Sequence, residues 1–94
     1  MIEKISEDDL NQALESLKGW TYEQKFLCRK FVFKDHMQAF SFLSKVALIA
    51  ERLDHHPNWS GVYNEVKIRL STHDAGDVTK KDIQFAVEIE KALV

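Results

Sequence analysis

The chain has 94 residues, a length that supports one domain with a single core. Hydrophobic residues make up 45% and charged residues 30%, which is typical of a globular protein. Thirteen Lys and Arg against 15 Asp and Glu give a net charge of −2, which argues against binding to nucleic acid or to an anionic membrane surface. The single cysteine, Cys28, excludes an internal disulfide and a cysteine-based zinc site.

The amino-terminal stretch, MIEKISEDDL, lacks the basic and then apolar layout of a secretory signal. Apolar residues elsewhere are too often interrupted by charge to span a bilayer. We therefore expect a single domain over residues 1–94, located in the cytoplasm, with no membrane partner.

The first half of the chain predicts a helix, a hairpin and a second helix. Ser6 precedes apolar residues at helical spacing, which predicts a first helix from about Glu7 to Lys18. The following segment, WTYEQKFLCRKFVF, has apolar residues on both sides of a polar turn, which predicts a hairpin. Asp35 begins a second helix that we expect to end where Pro57 disfavours a helical conformation at His56.

The second half repeats the hairpin and adds a third helix. Two runs, NWSGVY and EVKIRLST, predict paired strands, and Thr79 with Asp82 predicts the start of a helix that continues to the end of the chain. The order α-β-β-α-β-β-α predicts an α+β fold, a four-stranded antiparallel sheet with three helices packed on one face. The second helix is apolar over more than one face, which suggests contact with another surface such as a second subunit.

Three of the four histidines lie within residues 51–74, and this cluster is the main functional signal. Histidine exchanges protons near neutral pH, so several in one cleft supply both an acid and a base. Glu51 and His55 are four residues apart, a spacing that predicts both on one face at the end of the second helix, with the carboxylate beside the imidazole. His56 leaves the helix in another direction, and His73 follows the last strand.

Simpler readings of these residues stay open at this stage. Adjacent histidines before a proline can cap a helix, and three histidines can bind a metal, although neighbouring residues seldom turn both imidazoles to one ion. Asp82 fits a capping box, and Trp59 and Tyr63 fit a core or interface, although either could also stack on a flat heterocycle. His36 has no partner that the sequence indicates.

The spacing of the cluster adds a family resemblance. The sequence reads Glu51, three residues, His55-His56-Pro57, five residues, Tyr63, nine residues, His73, eight residues, Asp82. This pattern resembles the signature of the pterin-4a-carbinolamine dehydratases, also known as dimerisation cofactors of a homeodomain transcription factor. Further similar segments cover nearly the whole chain: GW at 19–20, FVF at 31–33, AF.F...VA..AE at 39–51, THD at 72–74 and TKKD at 79–82.

The resemblance implies an activity and a set of site residues. The substrate would be 4a-hydroxytetrahydropterin, dehydrated to quinonoid dihydropterin with no metal, nucleotide or redox cofactor. His55 and His73 would move protons, His56 would contact the ring, and Glu51 would orient His55. Asp82 would be a supporting carboxylate that orients or charge-balances a histidine besides capping its helix. The other residues implied in the site are the substrate-binding residues Pro57, Trp59, Tyr63, Thr72 and Asp74.

The resemblance also implies partners and an alternative. Family members form dimers or tetramers and recycle the pterin of aromatic amino-acid hydroxylases, so a homo-oligomer and a hydroxylase partner are expected. The alternative is a non-catalytic module that stabilises a partner's oligomer, as a transcriptional coactivator does; an RNA-binding sheet is disfavoured by the negative charge. Two positions depart from the family pattern: Asp77 stands where many members have glycine, and Asn58 where an acidic residue is common.

Overall fold

A computed structural model describes residues 2–93 of the chain. The helices are α1 (Glu7–Ser16), α2 (His36–Leu53) and α3 (Lys80–Ala92), and the strands are β1 (Thr21–Glu23), β2 (Phe26–Val32), β3 (Asn58–Val62) and β4 (Glu65–Leu70). A short 3₁₀ helix, His73–Ala75, lies between β4 and α3. The predicted fold class and element order are confirmed.

The four strands form one antiparallel sheet in the order β1-β2-β4-β3. Alternate residues face the helices, so the pair Phe31 and Val66 is buried while the pair Lys30 and Lys67 on the opposite face is exposed. Strand β3 lies at an edge, and all five of its residues are exposed. The helix side of β3 is therefore only partly covered.

Two tight turns connect the hairpins. Gln24 and Lys25 join β1 to β2 with φ values of 51° and 69°, the left-handed conformations of a two-residue hairpin turn. The predicted first hairpin is thus present. Tyr63 begins the turn between β3 and β4 with φ 51°, so it follows the strand that was predicted to include it.

The core lies between the sheet and the helices. Helix α2 contributes Ala39, Phe42, Val46, Ile49 and Ala50, and α3 contributes Phe85, Ala86 and Ile89. Residues Ala13 and Leu14 of α1 pack against this cluster. Within residues 2–93, no helix combines the length and apolar character needed to cross a bilayer.

Helix α1 ends at Ser16, two residues before the predicted Lys18. The backbone N–H of Leu17 still bonds to the carbonyl of Ala13, and the chain then reverses at Gly19, whose φ is +88°. A side chain at Gly19 would also approach the Arg29 guanidinium to 3.0 Å. The chain leaves the helix at Leu17, whose φ of −95° and ψ of 78° are not helical, and Gly19 then permits the turn that leads to β1.

Helix α2 ends at Leu53, so the prediction that Pro57 ends it at His56 is wrong. Asp54 adopts the left-handed conformation with φ 51°, and its N–H bonds to the carbonyls of Ala50 and Glu51. The N–H of His55 also bonds to the Ala50 carbonyl at 3.0 Å, which completes a Schellman-type end. His55 therefore lies beyond the helix.

Glu90 of α3 ties the helix to the first strands, and its loss is expected to destabilise the protein. Its Oε2 accepts hydrogen bonds from Trp20 Nε1 at 2.9 Å and Arg29 Nη1 at 2.5 Å. Because Glu90→Ala leaves the Trp20 donor and the Arg29 charge without this partner, we expect a loss of about 2 kcal/mol in unfolding free energy. Urea denaturation followed by tryptophan fluorescence measures it.

Glu88→Ala is the matched control on the same helix. Glu88 binds Arg52 at 2.7 Å and Lys91 at 3.1 Å, and because these two partners are 61% and 71% exposed, solvent weakens both ion pairs. It should cost clearly less than Glu90→Ala. Equal losses for the two variants would contradict a special role for Glu90.

Candidate functional site

His55 is held by a buried carboxylate. Its Nε2 lies 2.5 Å from Oδ1 of Asp82, and the two side chains are 12% and 0% exposed. A carboxylate only accepts hydrogen bonds, so the proton of a neutral imidazole lies on Nε2, and Nδ1 is left to exchange protons. The ring centroid of Phe85 lies 6.1 Å away and limits the movement of the imidazole.

Asp82 connects three elements of the fold. It lies in the first turn of α3, where Thr79 and Asp82 form a capping box, as the sequence predicts. Its Oδ2 accepts from the Thr79 N–H and from the Thr72 hydroxyl, both at 2.8 Å. Because Thr72 donates to Asp82, the 2.7 Å contact between the two threonine hydroxyls must have Thr79 as its donor.

This arrangement gives a buried carboxylate its hydrogen-bond partners. Three donors converge on Asp82, and the positive end of the α3 dipole adds to them. The same group thereby orients His55 and anchors Thr72, the residue before His73.

Glu51 pairs with a different histidine from the one that the sequence predicts. Oε2 of Glu51 lies 2.7 Å from Nε2 of His56, and both side chains are exposed. The prediction that Glu51 orients His55 is wrong, because the left-handed Asp54 breaks the helical spacing on which it rested. Glu51 orients His56 instead, and Asp82 takes the role for His55.

An apolar groove lies between α2 and the edge strand β3. Its volume is about 490 Å³, within the range of small-molecule sites. Trp59 of β3 forms one wall with its side chain largely exposed, and the pair of Glu51 and His56 lies at one end. The lining residues also include Phe40, Leu43, Ala47, Ala50 and Pro57.

The remaining predicted residues lie near the His55–Asp82 network or near the apolar groove. Tyr63, with an exposed ring, lines a smaller cavity that shares Phe40 and Trp59 with the groove. His73 and Asp74 are exposed in the 3₁₀ helix, next to the buried Thr72. The structure thus brings His55, Asp82 and Thr72 into one network and Glu51, His56, Pro57 and Trp59 into one groove.

Some residues of the site were not expected from the sequence. Thr79 was predicted only as a helix start, and Phe40 appeared only within the segment AF.F...VA..AE of the family resemblance. The contact between the hydroxyls of Thr72 and Thr79 could not be predicted from the sequence, because it depends on the conformation of the loop between these two residues. Among residues 2–93, no three His, Cys, Asp or Glu side chains are arranged to hold a metal ion.

The fold and the site define a small α+β protein in which a buried carboxylate anchors one histidine, while the next histidine in the chain lines an apolar groove. The family model for pterin 4 alpha carbinolamine dehydratase matches residues 3–92. The chain belongs to this family.

Individual relatives agree over nearly the whole chain. A protein of Prochlorococcus marinus (strain NATL2A), which bears the provisional name pterin-4-alpha-carbinolamine dehydratase, is 41% identical over 93 residues, covering 99% of this chain and 98% of its own length. A protein of the same provisional name from Rhodopseudomonas palustris (strain BisB18) is 47% identical over 88 residues, covering 92% and 87%. The crystal structure of a transcriptional coactivator/pterin dehydratase from Brucella melitensis has a TM-score of 0.92 at 39% identity, covering 96% of this chain and 98% of that one.

Proposed function

We propose that this protein dehydrates 4a-hydroxytetrahydropterin to quinonoid dihydropterin by histidine acid–base catalysis. Family membership supports the class of reaction. The observation that carries the proposal is the 2.5 Å contact between His55 and the fully buried Asp82, because it prepares one imidazole nitrogen for proton exchange.

The reaction requires two proton movements and no change of oxidation state. A proton joins the 4a-hydroxyl, which leaves as water when its carbon–oxygen bond breaks. The N5–H proton leaves for a base, and its electron pair forms the new double bond between N5 and C4a. One acid and one base on the pterin therefore suffice.

Contacts in the site support the proposed roles of His55, His56 and Trp59. His55 exchanges a proton through Nδ1, because Asp82 occupies Nε2. His73 supplies the second proton-transfer group from the adjoining loop, and His56, oriented by Glu51, contacts the ring and the hydroxyl. Trp59 offers an aromatic wall to a planar heterocycle.

The metabolic setting follows from the chemistry of the substrate. A 4a-hydroxytetrahydropterin arises when an aromatic amino-acid hydroxylase has used its tetrahydropterin. In the proposed function this protein returns that cofactor to a form that a reductase can reduce again.

A second candidate function is partner binding. Helix α2 exposes Met37, Phe40 and Leu48 by 73%, 63% and 72%, an apolar surface that a lone domain seldom leaves open. The relative from Brucella melitensis carries both coactivator and dehydratase in its title. We assign this face of α2 to a second copy of the chain in a homodimer or homotetramer, which sedimentation velocity tests directly; a purely monomeric protein would oppose it.

The proposed activity is tested by a direct assay. Freshly generated 4a-hydroxytetrahydropterin is mixed with the protein, and formation of quinonoid dihydropterin is followed by absorbance between pH 6 and 9. We expect acceleration over buffer, with a rate that depends on pH in the range where histidine titrates, about 6.5. No acceleration at any pH would reject the dehydratase function.

A further inference from the structure

The loop that carries His73 is closed by its own backbone. The Thr72 N–H donates to the Asp77 carbonyl at 3.0 Å, and these two residues form an isolated antiparallel bridge. Between them Gly76, with φ +67°, donates to the carbonyls of Thr72 and His73 at 3.0 Å each. The two ends of the loop are therefore fixed relative to each other. The orientation of the loop relative to the rest of the protein depends on the contacts of Thr72 and Asp77.

Asp77 is one of these holding points. Its side chain is 7% exposed, and Oδ1 accepts from the Val78 N–H at 2.7 Å and from the Tyr22 hydroxyl at 2.8 Å. Tyr22 belongs to β1, the three-residue strand at the other edge of the sheet from β3. The loop is thus attached to a strand 55 residues earlier in the sequence.

Thr72 is the other holding point. Its hydroxyl binds Asp82, which also binds His55. His73 follows Thr72 directly, and its own side chain is exposed. The position of this imidazole is therefore set by the backbone between Thr72 and Asp77.

We propose that the Tyr22–Asp77 latch, the hydrogen bond between these two side chains, positions His73 for proton transfer, an inference that rests on the proposed dehydratase function. Without the latch, Asp82 would still hold the Thr72 end of the loop, and the Asp77 end would keep its backbone bridge to Thr72 but lose its attachment to β1. His73, between the two ends, would then sample positions away from the substrate. Tyr22 and Asp77 are positioning residues, since neither is placed against the pterin.

The ionisation of Tyr22 gives the latch a signature of its own. The hydrogen bond to Asp77, followed by partial burial and the nearby negative charge, raises the pKa of Tyr22 above its ordinary value of 10.0. A pKa raised by folding means that the bond stabilises the folded protein below the pKa of an unfolded tyrosine, and that this contribution is lost as pH rises through the folded pKa. Tyrosine absorbance during alkaline titration reports it.

Four variants test the latch. Tyr22→Phe removes the hydroxyl, and Asp77→Ala removes both bonds of Oδ1, while Asp77→Asn keeps an oxygen that accepts from Tyr22 and Val78. Thr21→Val is the matched control, because it removes from the same strand an exposed hydroxyl that bonds to Glu23 at 2.8 Å. Each variant is measured by steady-state kinetics, by the NMR signals of the His73 ring, assigned with His73→Gln, and by urea denaturation.

We expect kcat to fall roughly tenfold in Tyr22→Phe and Asp77→Ala with little change in KM. The reason is that these variants displace a proton-transfer group, the imidazole of His73, and leave the binding of the substrate unchanged. The His73 ring signals should shift or broaden in these two variants. Asp77→Asn and Thr21→Val should retain the wild-type kcat and His73 signals, and Asp77→Asn should lower the pKa of Tyr22.

Two results would overturn the latch: a kcat in Tyr22→Phe and Asp77→Ala equal to that of Thr21→Val, or a loss of stability with unchanged His73 signals. If the wild type does not dehydrate the pterin, the proposed function fails separately. The NMR signals of the His73 ring then test the latch by themselves. A shift of these signals in both Tyr22→Phe and Asp77→Ala supports the proposal that the latch positions His73, and unchanged signals reject it.

Discussion

Replacing His55 with alanine is expected to lower kcat for pterin dehydration by roughly 10² to 10⁴, the contribution of a well-placed proton-transfer group. The imidazole is held by Asp82 and lies beside the ring of Phe85, so the alanine variant loses a positioned proton-transfer group. Stopped-flow absorbance with freshly generated substrate measures the rate. Added imidazole should restore part of the activity by entering the space that the side chain leaves.

His55→Ala also leaves Asp82 without one of its donors, so a folding defect must be separated from a chemical one. His55→Gln serves this purpose, because its amide N–H can donate to Asp82 while the side chain has no acid–base capacity. His36→Gln is the control for losing a histidine, since His36 lies at the start of α2 and bonds through Nδ1 to the Tyr63 carbonyl at 2.8 Å. A folded His55→Gln with full activity would refute the role of His55.

Asp82→Asn is expected to reduce both stability and activity. Three donors converge on the carboxylate of Asp82, but an asparagine amide offers one acceptor oxygen and a donor NH₂. One donor must then face another donor, or His55 must move its proton to Nδ1 and accept through Nε2. We expect a loss of about 3 kcal/mol in unfolding free energy and a fall of roughly 10² in kcat.

Urea denaturation and the dehydration assay measure these two effects on the same sample. Asp35→Asn is the matched control, because Asp35 caps α2 by accepting from the Gln38 N–H at 2.9 Å, and asparagine caps a helix equally well. If Asp82→Asn behaved like Asp35→Asn in both measurements, Asp82 would be a helix cap and nothing more.

Much of the fold could be predicted from local sequence. The period of the apolar residues identified the three helices and the two hairpins, and the Thr79 capping box was readable because its members are three residues apart. Helix ends were predicted less well. Asp54 adopts a left-handed conformation that is uncommon for a non-glycine residue, and nothing in its neighbours signals it.

The sequence by itself determined the element order, the sheet and the family, because these depend on periodicity and on spacing within single segments. It also predicted the three histidines as the candidate chemical centre. The tertiary structure decided which carboxylate serves which histidine. Asp54 ends α2 before His55, so Glu51 meets His56, and the fold brings Asp82 from 27 residues later to His55.

The tertiary structure alone also decided how the His73 loop is held. Tyr22 and Asp77 are 55 residues apart, and only the sheet and the loop together place one beside the other. Periodicity and capping describe neighbours in the chain, whereas a hydrogen bond between distant side chains depends on the position of every element between them. For this reason the histidines could be named from the sequence, while the groups that orient them required the fold.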